Sequence, residues 1–413
     1  MADATLGVYN YDDMRTKAQK RLPKGVFEFV DRGCEDEVAL RNNRVGFERI
    51  KLSPRPLVDV SKRSQQIELF GETRRMPIII APTGIAGLMW YQGELELARA
   101  AAKAGIPFTM ATGSMTAMET VAEKAGGRLW FQLYMWPDRS LSHELVNRAE
   151  RAGFEALVLT IDGVVSGNRE YNLRNGFTIP FTYNSRNILD VLRHPEWMVN
   201  VLGRYMMGTG MPRYENFPDS LKSKVTAAPV GRAMLRNDSM TWDDLKALRK
   251  IWPRTLIVKG IMHPRDAILA ADYGADAIVV SNHGGRNFDS LEAPIDVLPQ
   301  IADAVGKRLT VIMDSGIRRG SDVVKALALG AKSVQIGRPT LYGTALGGEA
   351  GAARAIDIFR DEIDKVMAHL GCSNIAEIDR DCIAGQGRDG ETRPHGTLNG
   401  SAAATSEPAP ARS

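Results

Sequence analysis

Short, uninterrupted apolar runs alternate with amphipathic stretches along most of the chain. Eight runs stand out, at 77–81, 107–111, 129–133, 156–161, 255–259, 276–281, 309–313 and 333–337. They are short and largely β-branched, the pattern of parallel strands buried on both faces. Helical patterns separate them, for example at 94–104, 243–251 and 322–329. One phrase recurs: a helical stretch, a glycine, then an apolar run, with Gly105, Gly153, Gly274 and Gly330 as the glycine. Glycine closes a helix there because it adopts the left-handed conformation at little cost. Strand–helix alternation builds a parallel sheet, and eight such units predict a closed (β/α)8 TIM barrel in the α/β class. An open doubly wound sheet is the alternative. No GxGxxG follows a strand, and Gly208-Thr209-Gly210 reads as a loop.

The pattern also divides the chain. The barrel occupies about 76–370 within one catalytic unit spanning 1–384. An N-terminal helical extension precedes it, with a helix starting near Tyr11. A long loop, 163–240, follows the fourth strand, and such insertions cover the active face of a barrel. Residues 385–413 are polar and rich in Gly, Pro, Ala and Ser, and read as a disordered tail. The uncharged run 76–93 carries prolines and glycines, so it reads as a buried strand plus loop rather than a membrane span.

Composition narrows the function classes. The 413 residues are 44% hydrophobic and 25% charged, with 53 basic and 49 acidic residues for a net charge of +4. That balance, with no basic tract interleaved with aromatics, gives no footprint for nucleic acid. Cys34, Cys372 and Cys382 are scattered, which argues against a disulfide scaffold or structural zinc and for a reducing compartment. The N-terminus lacks an apolar core of signal-peptide type, so a cytoplasmic location is expected.

In a barrel, polar residues at strand C-termini face the active site. Here they form seven groups: Pro82-Thr83-Gly84; Gln132 with Tyr134; Thr160 with Asp162; Lys259; Ser281-Asn282-His283; Asp314 with Arg318; and Gly337-Arg338. One such group is usually a cap; seven converging on one mouth predict a site. His283 precedes two glycines that permit close ligand approach, and it can take a proton near neutral pH. Asp162 is the candidate partner for its imidazolium, with a helix or turn cap as the alternative. Arg169 and Arg286 are a candidate carboxylate clamp, because guanidinium forks match carboxylates. Gly337-Arg338-Pro339, assisted by Arg318, reads as the phosphate site of the seventh and eighth loops. Lys259 is either a Schiff-base lysine or a partner for a developing anion. No metal motif is present, so an organic cofactor is expected.

The stretch Ser281-Asn282-His283-Gly284-Gly285-Arg286, with Asp289 following, closely resembles the signature of FMN-dependent L-2-hydroxy acid dehydrogenases and oxidases. Supporting stretches are Arg21-Leu22-Pro23-Lys24, Gly33-Cys34-Glu35-Asp36-Glu37, Trp130-Phe131-Gln132-Leu133-Tyr134, Asp314-Ser315-Gly316-Ile317-Arg318 and Ile336-Gly337-Arg338-Pro339. The likeness covers about residues 10–385, and the text 192–197 looks most like the mandelate and lactate dehydrogenases. It implies FMN as cofactor, a small 2-hydroxy acid as substrate, a quinone or other electron acceptor, and a homotetramer. It assigns His283 as base, Asp162 as its charge partner, Arg169 and Arg286 to the substrate carboxylate, and Tyr134 to the substrate oxygen. Lys259 faces the flavin. Pro82, Thr83, Gly84, Gln132, Thr160 and Ser281 line the ring. Asp314, Ser315, Gly316, Ile317, Arg318, Gly337 and Arg338 hold the ribityl phosphate. Phe29, Ala111 and Gly113 depart from common family residues, and Phe29 and Gly113 predict a roomier, more apolar substrate pocket. Finally, 188–212 predicts peripheral membrane contact on the cytoplasmic face of the inner membrane, with a lid packed on the barrel as the alternative. Trp197, Met198, Val201, Leu202, Tyr205 and Met206 are expected to form the apolar face, beside Arg193 and Arg204.

Overall fold

The computed structural model describes residues 7–177, 184–222, 224 and 238–385. The tail expected from residue 385 onward, Gly385 apart, and part of the 163–240 insertion lie outside the described residues. Eight strands close into a parallel barrel: β1 Ile78–Ile80, β2 Pro107–Ala111, β3 Arg128–Leu133, β4 Ala156–Thr160, β5 Thr255–Ile261, β6 Ala277–Val280, β7 Thr310–Met313 and β8 Ser333–Ile336. Closure is made by β8 against β1, with Val334 opposite Ile78 and Ile336 opposite Ile80. A short antiparallel hairpin, Ile67–Leu69 with Glu72–Arg74, precedes the barrel.

The strands are buried because helices cover the outside and side chains fill the inside. In β4 and β6 every residue is buried, which is why no polar alternation marks them. The ends agree with the sequence reading within two residues. The largest difference is at β5, which continues past Lys259 to Ile261 through a register shift against β6. The four helix-closing glycines, Gly105, Gly153, Gly274 and Gly330, all have positive φ.

The N-terminal extension forms α1 Tyr11–Arg21, α2 Lys24–Asp31 and α3 Val38–Arg49. The α1 terminus is closed by Asn10, whose side chain accepts from the Asp13 N–H at 2.8 Å, and Asp12 and Asp13 sit in its first turn. Both arrangements satisfy the positive end of a helix. The N-terminus of α3 is capped from the far side of the chain: Asp289 accepts from the N–H groups of Val38 and Ala39 at 3.0 Å each. A reciprocal amide pair, Asn43 with Asn282, lies one turn further on at 3.0 and 2.7 Å. The extension is thereby tied to the loop after β6.

The described part of the insertion is helical: Glu170–Arg174, Ser185–Leu192, Pro195–Trp197, a π-helical stretch Met198–Gly203, and Arg204–Met207. It corrects the predicted apolar face. Trp197, Val201 and Tyr205 point inward, at 7%, 2% and 3% exposure. Trp197 donates its indole N–H to the Leu88 carbonyl at 2.6 Å. Of the predicted face Met206 does point outward, and it is joined by Ile188, Leu189, Leu192, Val199 and Met207, the last 82% exposed. A single helical period does not say which stripe meets the barrel. Among the described residues no helix is long and apolar enough to cross a membrane.

The last helix, Arg338–Leu370, is broken at Gly347 and Gly348, so that its two halves fold against each other. Gly343 and Gly351 meet backbone to backbone there, and a side chain at Gly351 would overlap the Gly343 carbonyl oxygen. We predict that Gly351→Ala lowers stability by about 1–3 kcal/mol through forced separation of the halves. Gly153→Ala, with no neighbouring atom in reach of the new methyl, should lose only the left-handed strain of about 1 kcal/mol. Urea denaturation midpoints check this, and equal losses in the two variants would contradict it.

Candidate active site

The C-terminal ends of all eight strands open into one cleft of about 1250 Å3. At its centre is His283, three residues beyond β6. Its backbone is left-handed, with φ of 58°, an uncommon state for a non-glycine residue and a local strain. The strain is held by the His283 N–H donating to Ser281 Oγ at 3.1 Å and by the imidazole Nδ1 lying 2.8 Å from Asp162 Oδ1. Burial disfavours the Asp162 charge, but His283 outweighs it and holds the carboxyl below its usual range. A carboxylate accepts at Nδ1, so the Nε2 lone pair of a neutral imidazole faces the cleft. Tyr134 Oη lies 3.3 Å from that Nε2. Burial, and then Asp162, push the Tyr134 phenol well above its usual range, so it stays a donor.

Two guanidinium groups approach the same space. Arg169 donates to the Arg286 carbonyl at 3.2 Å and to Asn287 Oδ1 at 3.0 Å. Arg286 donates to the Arg32 carbonyl at 3.1 Å and stacks over the Phe29 ring at 5.1 Å. Among the described residues neither has a carboxylate partner. Burial, and then Arg169, lower the Arg286 guanidinium from its ordinary value to about 9. It keeps its charge at neutral pH, at a cost that an arriving carboxylate would relieve.

Lys259, near the end of β5, is buried and ion-paired: Nζ lies 2.6 Å from Asp314 Oδ2 and 2.5 Å from Ser281 Oγ. This removes the Schiff-base alternative, which needs a free amine, and keeps a cation on the cleft wall. Beside it, buried polar atoms lack partners: Gln132 Nε2, Thr160 Oγ1 and both amide atoms of Gln335. Gln335 was not foreseen; its only signal is one amide inside the apolar run Ser-Val-Gln-Ile. Pro82, Thr83 and Gly84 form the opposite wall. A methyl placed on Gly84 would find nothing nearer than the Gly113 carbonyl, 3.7 Å away. Tyr214 and Phe217, stacked at 4.8 Å, and Phe177 against Phe29 at 5.4 Å add an apolar side to the cleft. These three lie in or beside the insertion, where no local pattern marked them.

The far end is made by Ser315, Gly316, Ile317 and Arg318 after β7 and by Gly337 and Arg338 after β8. Ser315 Oγ donates to Asp314 Oδ1 and accepts the Gly284 N–H at 2.8 and 2.9 Å. Arg338 lines this end, but its guanidinium is taken up by backbone acceptors. It donates to the carbonyls of Val30, Gly284 and Arg32 at 2.8, 3.1 and 3.3 Å, fastening α2 to the barrel. Asp162, Arg169, Arg286 and His283 thus meet as predicted, while Arg338 is turned to the backbone. Unpartnered amide and hydroxyl groups beside a buried cation, leading to a positively charged end at a helix N-terminus, fit the ring and phosphate of FMN.

Comparison with known proteins agrees with this geometry. Residues 18–385 match the family described as FMN-dependent dehydrogenase. The (S)-mandelate dehydrogenase of Pseudomonas putida is 42% identical over 382 residues, 92% of this chain and 95% of that protein. An L-lactate dehydrogenase of Yersinia pestis is 39% identical over 375 residues, 90% and 97% of the two chains. The crystal structure of the monotopic membrane protein (S)-mandelate dehydrogenase superposes with a TM-score of 0.86 at 42% identity, covering 91% of this chain and 99% of that one. A mandelate oxidase bound to (S)-2-phenylpropionate superposes with a TM-score of 0.75 at 34% identity, covering 91% and 98%. The extent of these matches and the barrel they share establish that this chain belongs to the FMN-dependent dehydrogenase family.

Proposed function

We propose that this protein oxidises an L-2-hydroxy acid with an aryl or large apolar side group to the 2-oxo acid. The observation that carries the reading is the His283–Asp162 pair, 2.8 Å apart, facing two guanidinium groups without a carboxylate. The substrate carboxylate binds between Arg169 and Arg286, which places its hydroxyl and Cα–H toward His283. Tyr134 donates to the substrate oxygen. His283 Nε2 takes the proton, and Asp162 stabilises the imidazolium that results. Phe29, Phe177, Tyr214 and Phe217, with the space left by Gly113, receive the side group. Pro82 to Gly84, Gln132, Thr160, Lys259 and Ser281 hold the ring of FMN, and Asp314 to Arg318 with Gly337 and the Arg338 backbone hold its ribityl phosphate. FMN, when bound, supplies the two-electron acceptor.

The electrons then pass to a quinone or similar acceptor rather than mainly to oxygen. The support is Gly84: a methyl there would meet only the Gly113 carbonyl at 3.7 Å, so alanine fits but changes the packing and polarity that oxygen meets at this wall. The outward side chains Ile188, Leu189, Leu192, Val199, Met206 and Met207, flanked by the exposed Arg186, Arg193 and Arg204, support peripheral contact with an anionic membrane surface. We place that contact on the cytoplasmic face of the inner membrane. The family resemblance extends the reading to a homotetramer.

His283→Ala should retain flavin absorbance and lose at least 10²–10⁴-fold in anaerobic flavin reduction by mandelate; near-normal reduction in stopped flow would remove His283 from the base role. Gly84→Ala should fold normally and raise reoxidation by air relative to a soluble quinone. An unchanged ratio would detach the acceptor preference from this position, and wild-type turnover in air with stoichiometric hydrogen peroxide would make the protein an oxidase. Replacing Ile188, Leu192 and Met207 together by Ser should release the protein from sedimenting anionic vesicles, whereas an unchanged bound fraction would assign the segment to a lid alone.

A further inference from the structure

The far end of the cleft holds a cation that no described residue neutralises. Arg318 follows β7, and its side chain makes no hydrogen bond or ion pair with a described residue. Asp322, in the first turn of the helix that follows, accepts the Arg318 backbone N–H at 2.9 Å and is ion-paired with Arg44 at 2.7 Å. What holds the Arg318 guanidinium is the face of Tyr11, 4.9 Å from the ring centroid. Tyr11 is the first residue of α1 and is buried, although it lies more than three hundred positions away in sequence.

Tyr11 is itself fixed on two sides. Its ring meets Tyr342 edge-on at 5.6 Å, and Tyr342 stacks on Phe27 at 6.1 Å. The Tyr342 hydroxyl donates to Asp31 Oδ1 at 2.7 Å. Arg15, one turn after Tyr11, grips the same carboxylate with two hydrogen bonds of 2.6 Å. Burial works against the Asp31 charge, but these bonds prevail and keep its carboxyl below the usual range. Arg15 is thus spent on Asp31, and the Arg338 guanidinium on three backbone carbonyls. Asp12, at the cleft rim, is exposed and makes no ion pair with Arg318. Of the α1 charges that line the cleft, Arg15 is tied to Asp31 and Asp12 stays exposed at the rim; what the helix gives Arg318 is an aromatic face that sets its direction.

We propose that Tyr11 is a positioning residue for the phosphate end of FMN: it holds Arg318 by its ring face, so that α1 closes the far end of the cleft and FMN retention depends on that helix. The proposal rests on the reading that Arg318 faces the phosphate. A cation over an aromatic face gains on the order of 0.5–2 kcal/mol. It also loses less rotamer freedom on binding than an arginine left loose in solvent. Loss of the face should therefore weaken a phosphate-bearing ligand and spare the same ligand without its phosphate.

The test is titration of the full chain, freed of flavin, with FMN and with riboflavin, followed by quenching of flavin fluorescence. Tyr11→Leu keeps an apolar side chain in the packing and removes the ring; it should weaken FMN by about 3- to 30-fold. Tyr11→Phe keeps the face and should stay within about 2-fold of wild type. Riboflavin affinity should be the same in all three proteins. In Arg318→Ala, adding Tyr11→Leu should cost little more, because the two act as a unit. Tyr11→Leu that weakens FMN and riboflavin equally, or leaves both unchanged, would overturn the proposal. An Arg318→Ala protein with an unaltered ratio of FMN to riboflavin affinity would instead overturn the placement of the phosphate, on which the proposal depends.

Discussion

Closure of a parallel sheet governs this molecule. Parallel strands all run the same way through a barrel, so their C-terminal ends share one rim. The strands themselves are mostly apolar and buried on both faces, and polar positions gather at their C-terminal ends and just past them. Thr160, Lys259, Ser281 and Asp314 are therefore neighbours in space although each belongs to a different strand. The pairing of β8 with β1 completes the rim and brings Gly337 against Ala81 and Thr83.

A rim crowded with ionisable groups has to distribute its charge, and the two sides of the cleft do so differently. Lys259 and Asp314 neutralise each other, as do His283 and Asp162 when the imidazole is protonated. Among the described residues Arg169 and Arg286 are bound only to carbonyl and amide oxygens, with Arg286 pressed against Phe29. Positive charge left without a counterion inside a protein costs stability. The left-handed backbone at His283 costs more. Both are borne by the rest of the fold, and both are arranged so that an anionic substrate lowers the cost on arrival. That is preorganisation in physical terms: the groups are already where the bound state needs them.

The N-terminal extension belongs to the site as much as the barrel does. Asp289 caps α3, Asn282 pairs with Asn43, and Arg338 fastens the end of α2 through the carbonyls of Val30 and Arg32. Each contact joins a catalytic-face loop to a helix far away in sequence. Gly285 shows how close the approach is. Its φ is 72°, and a side chain there would come within 2.6 Å of the Leu40 backbone nitrogen. A larger residue would displace α3 and the loop that carries Arg286.

How far the sequence spoke for itself follows the range of the forces involved. Strands, helix ends and the closing glycines were legible because burial periodicity and left-handed backbone are local properties. The barrel followed from counting those units. The functional signature was legible because His283, Gly284, Gly285 and Arg286 are contiguous, and the grouping of polar residues after strands pointed to Asp162 and Lys259. The tertiary structure alone decided which partner each group takes. It engaged Lys259 with Asp314, turned Arg338 to the backbone, set Tyr11 under Arg318, and directed Trp197, Val201 and Tyr205 inward while leaving Leu192 and Met207 outward. Those choices depend on electrostatics and packing between segments fifty or more residues apart, and no short window along the chain contains both sides of such a contact.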